Sequence, residues 1–423
     1  MKSDLPKVLH RVAGRPLLEH VIFAAQSLQP SAIHVVVGHE SAQVRAAFSD
    51  YALHWVSQDQ QLGTGHAVLQ AMPKVAQDST VLVLFGDVPL LSATTLADLV
   101  ARASVSPALL TALVAQPFGL GRILRDDKGQ FLAVVEEKDA CPEQRTIKEI
   151  NTGVLAAPAA LLNDYLPRVG SNNKQNEYYL PDILGLAVAD GLVVESSEVG
   201  SEIEAMGVND RAQLNQVERE FQRRQAEDLM RQGVSIADVN RLDVRGSLVC
   251  GKDVSIDINA VFEGKVTIGN RSVVHAMSHV QDTVLEDDCS VGPYARLRPG
   301  TVLSKGARIG NFVETKKSLI GAGSKVNHLS YVGDCDMGEG VNIGAGTITC
   351  NYDGVNKSKT VLGNDVFVGS NSTLVAPVEI EEGGFVGAGS TVTKTVAKDE
   401  LAISRARQKN IQGWQRPGKK TGE

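Results

Sequence analysis

At 423 residues the chain is long for one compact core, and roughly two to three domains are expected from length alone. A net charge of −7 with 22% charged residues excludes a globally basic nucleic-acid binder or a protein held on an acidic membrane surface. Five cysteines, at 141, 250, 289, 335 and 350, are odd in number and form no C-x-x-C pair, which points to a reducing compartment without a structural zinc site. No apolar run approaches the ~20 residues of a membrane span and no signal-peptide apolar stretch opens the chain, so a cytoplasmic location is expected.

In chain order, the runs Ile33-His-Val-Val-Val-Gly38 and Val81-Leu-Val-Leu-Phe-Gly86 alternate with helical stretches such as Leu17 to Leu28. Continuous β-branched runs ended by Gly predict buried parallel strands of an α/β sheet covered on both faces, with ligands beyond the carboxyl ends of the strands. Residues 210–231 are charged, lack Gly and Pro, and carry Leu214, Val217 and Phe221 at helical spacing, which predicts a linker helix closed by Gly233. From near Leu242 the pattern changes to an aliphatic beat of six: Ile256, Phe262, Ile268, Val274 and Val280, then Leu285, Val291, Leu297, Leu303 and Ile309, then Leu362, Val368, Leu374, Ile380, Val386 and Val392. A fixed apolar period of this kind marks the stacked coils of a parallel β-helix and not an amphipathic helix, whose apolar spacing is three and four. Gly follows the inward residue at Ile268, Val291, Ile309, Ile320, Val332, Met337, Ile343, Leu362, Val368 and Val386, where it is expected to turn a corner with φ > 0. The stretch 347–359 breaks the beat between Ile343 and Leu362, and a break in a solenoid is either a working loop or a tolerated insertion. A basic tail follows, with Arg405, Arg407, Lys409, Arg416, Lys419 and Lys420 against Glu423. The boundaries that follow are 1–209, a linker helix at 210–232, the β-helix at 233–403 and the tail at 404–423.

Chemistry-bearing residues of the first part lie at strand ends and Gly turns. Gly86-Asp87-Val88-Pro89 puts a carboxylate at the mouth of the sheet, where it could hold Mg²⁺ with phosphate oxygens or simply form a turn. Gln61-Leu-Gly-Thr-Gly-His-Ala67 is a glycine loop suited to a base or a phosphate, though two glycines also make an ordinary loop. Lys7 lies beside the sheet edge, and the β-helix region holds three histidines, 275, 279 and 328.

Taken in order, Asp4-Leu-Pro-Lys-Val-Leu-His10, Gln61-Leu-Gly-Thr-Gly-His66, Phe85-Gly-Asp-Val-Pro-Leu90, Gly119-Leu-Gly-Arg-Ile123, Val135-Glu-Glu-Lys-Asp139, Glu149-Ile-Asn-Thr-Gly153 and Gly207-Val-Asn209 resemble the sugar-nucleotide pyrophosphorylases. Pro293-Tyr-Ala-Arg-Leu-Arg-Pro-Gly300, Gly310-Asn-Phe-Val-Glu-Thr-Lys-Lys317, Asn342 to Gly354 and Ala402-Ile-Ser-Arg405 resemble the acetyltransferase half of the bacterial bifunctional family that makes UDP-N-acetylglucosamine. The resemblance covers nearly the whole chain. It implies a Rossmann-like α/β nucleotidyltransferase domain followed by a left-handed parallel β-helix of hexapeptide repeats, assembled as a homotrimer. It also implies two reactions: acetyl transfer from acetyl-CoA to glucosamine 1-phosphate, then uridylyl transfer from UTP with release of pyrophosphate, feeding peptidoglycan and lipopolysaccharide synthesis.

Carried over residue by residue, Asp87 and Asn209 hold Mg²⁺. Lys7 meets phosphate charge, Gln58, Gly63 and Thr64 contact uracil and ribose, and Gly121, Glu136 and Asn151 hold the acetylated sugar. His328 is the general base of acetyl transfer, a task that suits an imidazole of ordinary pKa near 6.5. Arg298, Lys316, Tyr331 and Asn342 hold the sugar phosphate and hydroxyls, while Ala345, Asn351, Tyr352, Ser370, Ala388 and Arg405 contact acetyl-CoA. Two departures accompany the resemblance. The chain opens where the last residue of the family's Gly-rich phosphate loop would stand, so the first strand is expected to be missing and UTP binding impaired, and Arg271 to Val280 stand for a longer stretch, about one coil fewer. The alternatives are an acetyltransferase with an impaired nucleotide half, and a non-catalytic trimerising scaffold. Retention of Arg298, Lys316, His328, Tyr331, Asn342 and Ser370 at family spacing argues against the scaffold.

Overall fold

A computed structural model describes residues 1–38 and 41–418, so Lys419, Lys420 and Glu423 of the basic tail lie outside the described residues. The chain divides into two compact units, Met1–Phe221 and Gln222–Glu423.

In the first unit the strand His34–Val37 pairs in parallel with His54–Ser57. A second sheet runs in the order Glu195–Glu198, Ala108–Leu113, Glu149–Pro158, Arg122–Arg125, Phe131–Val135, with Thr80–Val83 also paired to Glu149–Pro158. Only Glu195–Glu198 and Ala108–Leu113 are parallel in it; the other pairings, including Thr80–Val83, are antiparallel. The sheet is therefore mixed, a feature that apolar runs do not encode, because they report burial of both faces and not strand direction. The helices Leu17–Gln26 and Ala93–Arg102 turn Leu17, Leu18, Val21, Ile22, Leu96 and Leu99 inward. Ser92 caps the second of these by accepting the Thr95 N–H at 3.1 Å.

The charged segment forms one helix, Arg211–Arg231. Gly233 ends it with φ +97, and the Val234 N–H reaches back to the Leu229 carbonyl at 3.0 Å, the left-handed close expected of Gly just past a helix.

The second unit is a parallel β-helix. One ladder of ten short strands runs from Ser235–Ile236 to Leu401–Ala402, and a second, larger sheet carries the other rungs. Pairings from Ser255 to Val273, Ser290, Arg308, Lys325 and Asn342 are unbroken, so the coils stack continuously through the segment where a coil's length was expected to be short. Every aliphatic residue of the hexad beat is at most 5% exposed and belongs to a single core. Each such side chain contributes about 1.5–3 kcal/mol on burial. The buried hydroxyl of Ser324 is satisfied by the neighbouring turn: its Oγ accepts the Val341 N–H at 2.9 Å and donates to the Gly338 carbonyl at 2.7 Å.

Two expectations are corrected. Among the ten glycines that follow inward residues only Gly292 has φ > 0. At most of the others successive coils touch: a Cβ on Gly344 would lie 2.5 Å from Ser370 N, and one on Gly363 would lie 2.5 Å from Glu382 N, whereas at Gly333 the obstacle is the Tyr331 ring of the same strand. The true corners are elsewhere, at residues such as Phe312 (φ +56) and Leu329 (φ +50). The break in the beat is also shorter than expected. Ile348–Cys350 is still a rung, with Thr349 facing inward at 2% exposure and its hydroxyl accepting the Gly333 N–H at 2.8 Å. A polar inward residue is invisible to an aliphatic count, so the excursion proper is 351–359.

This distinction is testable with two neighbours. A Cβ on Gly321 would fall on the carbonyl of Gly338 and 2.7 Å from that of Met337, whereas Gly323, with φ +66, has nothing within 4 Å. Denaturant titration followed by circular dichroism is expected to show a loss above about 3 kcal/mol for Gly321→Ala, since backbone overlap cannot relax by rotamer change. Gly323→Ala is expected to cost only the left-handed strain of about 1 kcal/mol.

Two candidate active sites

In the first unit Asp87 lies in the turn after Thr80–Val83, and Asn209 is brought to it by a backbone hydrogen bond from the Val208 N–H to the Asp87 carbonyl, 3.0 Å. Their side-chain oxygens converge on one cation: Lys7 Nζ is 2.5 Å from Asp87 Oδ2 and 2.9 Å from Asn209 Oδ1. A carboxylate and an amide oxygen spanned by a compact positive charge fit a hard divalent ion that completes its shell with water and phosphate oxygens. No group of three or more His, Cys, Asp or Glu arranged for a metal occurs among the described residues.

Gln58, Gly63 and Thr64 are also together. Gln58 Nε2 donates to the Gly63 carbonyl at 3.1 Å and lies 3.0 Å from His66 Nδ1, while Thr64 Oγ1 accepts the Leu180 N–H at 3.1 Å. Gly63 (φ +108) and Gly65 are small because Tyr178 packs on them: added Cβ atoms would stand 2.7 and 3.0 Å from its carbonyl oxygen. The segment around Tyr178, absent from the candidates read in the sequence, thus fixes the glycine loop.

Gly121, Glu136 and Asn151 converge as well. The Asn151 N–H donates to the Gly121 carbonyl at 2.8 Å, and a Cβ on Gly121 would meet Glu136 Oε1 at 2.9 Å. Burial raises the Glu136 pKa, helped by the charges of Asp182 and Asp139, and burial raises that of Asp182 too. Arg122, only 2% exposed, braces this end through Glu137 at 2.5 Å. Gly153 (φ +82) leaves room for the Phe85 ring, which ties the Asn151 end of the site to the Asp87 turn.

In the β-helix one column runs along a corner. The N–H groups of Leu329, Gly346, Asn371 and Gly389 donate to the carbonyls of Asn311, His328, Ala345 and Ser370, so Asn311, His328, Ala345, Ser370 and Ala388 follow one another coil by coil. Arg405 ends the column by donating to the Ala388 carbonyl. The His328 ring is exposed and its Nδ1 lies 3.0 Å from Asn311 Oδ1. Across the corner Tyr331 pairs with Glu314, and Glu314 accepts from Arg298 Nη1 at 2.8 Å. Asn342 sits on the rung after Lys325.

The excursion is a tight turn in which Asp353 Oδ1 takes the N–H groups of Val355 and Asn356 at 2.8 and 2.6 Å, and Tyr352 bridges Lys357. Asn351 anchors it to Asp334. It returns Lys357 against Lys316, whose pKa is lowered first by that neighbour and further by Arg298. Crowded cations at a surface repel one another, and an anion placed among them would relieve that repulsion. Lys357 was not among the sequence candidates. Burial pushes the thiols of Cys250 and Cys335 up to about 12 and that of Cys289 to about 11, so these three are not reactive thiolates.

A nucleotidyltransferase unit with a metal-competent oxygen pair, followed by a hexapeptide β-helix presenting an imidazole beside cations, defines a nucleotidyltransferase joined to an acyltransferase. The MobA-like NTP transferase domain family matches residues 1–137 and the bacterial transferase hexapeptide (six repeats) family matches residues 359–394. The proteins named "Bifunctional protein GlmU" from Marinobacter nauticus and Pseudomonas putida strain GB-1 are 51% and 52% identical, each match covering 99% of this chain and 96% of the relative. That of Cellvibrio japonicus is 51% identical over 100% of this chain and 97% of its own. A solved nucleotidyl transferase from Methanothermobacter thermautotroptrophicus, 22% identical, covers 52% of this chain and 87% of that one at a TM-score of 0.38, too low to bear on the fold. The chain belongs to the bifunctional GlmU family, and it is an acetyltransferase and a UDP-N-acetylglucosamine diphosphorylase (uridyltransferase).

The raised Glu136 carboxyl makes a pH-dependent prediction. A carboxyl whose folded pKa lies above its unfolded value binds its proton more tightly in the native state, so stability is present at low pH and lost as pH rises through the raised value. Glu136→Gln is therefore expected to raise Tm at neutral pH and to lose that advantage below about pH 4, where the wild-type group is protonated in both states. A calorimetric series over pH checks it.

Proposed function

We propose that the two activities are divided between the two sites and that the named residues perform them. In the first unit Asp87 and Asn209 hold Mg²⁺, which when bound supplies neutralisation of the phosphate charge of UTP. Lys7, which spans the same two oxygens, then turns its ammonium to phosphate. Gln58, Gly63 and Thr64 position uracil and ribose; Gly121, Glu136 and Asn151 hold N-acetylglucosamine 1-phosphate so that its phosphate oxygen attacks the α-phosphorus of UTP in line and pyrophosphate leaves. Reaction of this type is mostly positioning and electrostatics, and no protein nucleophile is required.

In the β-helix Arg298, Lys316 and Lys357 take the phosphate of glucosamine 1-phosphate, with Tyr331 and Asn342 on its hydroxyls. His328 accepts the amine proton as the nitrogen attacks the thioester of acetyl-CoA. Ala345, Ser370 and Ala388 line the cofactor along the column, Asn351 and Tyr352 approach from the excursion, and Arg405 with the basic tail meets its phosphates. The observation that carries this reading is the column itself, which sets the imidazole one coil from the first of three small residues that end at an arginine. Homotrimer assembly through the hexapeptide region, a cytoplasmic site of action and a place in cell-envelope polysaccharide synthesis complete the proposal.

Two single variants test it. His328→Ala is expected to reduce CoA release from acetyl-CoA and glucosamine 1-phosphate by about 10²–10⁴-fold while pyrophosphate release from UTP and N-acetylglucosamine 1-phosphate is unchanged. Asp87→Ala is expected to do the reverse. Equal loss of both activities in either variant would sink the two-site assignment.

A further inference from the structure

The His328 ring is exposed, so packing does not hold it, and an imidazole that serves as a base must present one nitrogen as a lone pair. The hydrogen bond that fixes the ring comes from the coil before it: Asn311 lies opposite His328 in the parallel ladder, and Asn311 Oδ1 is 3.0 Å from His328 Nδ1. An amide carbonyl oxygen can only accept, so this contact requires the Nδ1–H tautomer and leaves the Nε2 lone pair free. Asn311 is half-buried, its own backbone carbonyl is held by the Leu329 N–H at 3.1 Å, and its place on the ladder is set by the strand Arg308–Asn311.

We propose that Asn311 is a positioning residue for acetyl transfer: its side-chain oxygen orients His328 and selects the tautomer whose Nε2 faces the sugar amine. The proposal rests on His328 being the base. In the step itself the amine nitrogen bonds to the acetyl carbon, the C–S bond breaks, the amine proton passes to Nε2, and the imidazolium returns it to the departing CoA thiolate.

The choice of a neutral amide over a carboxylate has a chemical consequence. A carboxylate on Nδ1 would stabilise the imidazolium and keep more of the base protonated near neutrality. The charged groups around the ring are otherwise engaged or offset. Lys325 and Arg308 stand at the far ends of the two paired strands, no charged residue occupies the following rung Asn342–Ile343, and Glu314 beyond the corner is occupied by Arg298. An Asp at 311 would therefore be the first carboxylate on the imidazole.

The test uses the full chain with Asn311→Ala, Asn311→Asp and, as reference, His328→Ala. For Asn311→Ala the expected result is a fall in kcat for acetyl transfer of about 10–100-fold, with KM for acetyl-CoA within about twofold and uridylyl transfer unchanged as the control for folding. For Asn311→Asp, nearly isosteric, activity is expected to return at high pH with the acidic limb of kcat/KM moved up by about one pH unit. In the wild-type protein, ¹⁵N shifts of the His328 ring are expected to show a protonated Nδ1 and an unprotonated Nε2. An unchanged kcat in Asn311→Ala, an unmoved limb in Asn311→Asp, or the opposite tautomer overturns the proposal. If His328→Ala itself keeps activity, the base assignment fails; if it is inactive while Asn311→Ala is unaffected, only the positioning role fails.

Discussion

The hydrogen-bonded stacking of one coil on the next is the constraint on which the acetyltransferase unit depends. A coil returns each position to the same corner after about seventeen residues, as it does from Asn311 to His328, so side chains far apart in sequence become neighbours along one column. The inward aliphatics supply the stabilisation, but the ladder supplies the alignment. It also explains why most of the glycines after inward residues, such as Gly321, Gly344 and Gly363, leave no room for a Cβ, since the approach of adjacent coils puts backbone in its place. Where seven or so extra residues are accommodated, they leave the ladder at one corner only and return as an ordered turn carrying Lys357.

The first unit solves a different problem with the same economy. Its pair of converging oxygens, from Asp87 and Asn209, comes from segments more than a hundred residues apart, joined by a backbone hydrogen bond before any ligand is considered. The Lys7 ammonium satisfies both oxygens, so neither is left uncompensated. At the other end, Glu136 is held against Gly121 in an environment that opposes its ionisation.

Much of this was legible in the sequence. The beat of six identified the β-helix because most inward residues are aliphatic, and the order of short motifs pointed to the two activities. The reason for the glycines was misread, since a Gly can signal either φ > 0 or close approach and spacing alone does not separate them. Thr349 hid a rung because its inward side chain is polar, and strand direction in the first unit was hidden because burial is blind to it. Lys357 and Asn311 lacked any local signal: their roles come from which coil they return to. Arg122, not singled out within the motif Gly119–Ile123, is among the most buried side chains of the unit, paired with Glu137.

The central claim is that one chain holds two separate sites, the product of the β-helix site being the substrate of the other. The most direct measurement is a single reaction containing the chain, glucosamine 1-phosphate, acetyl-CoA, UTP and Mg²⁺, with CoA and pyrophosphate followed together. The account predicts CoA release first and pyrophosphate after a lag, with pyrophosphate absent when acetyl-CoA is omitted and restored by adding N-acetylglucosamine 1-phosphate. CoA release with no pyrophosphate under either condition, or pyrophosphate formed directly from glucosamine 1-phosphate without acetyl-CoA, would contradict it.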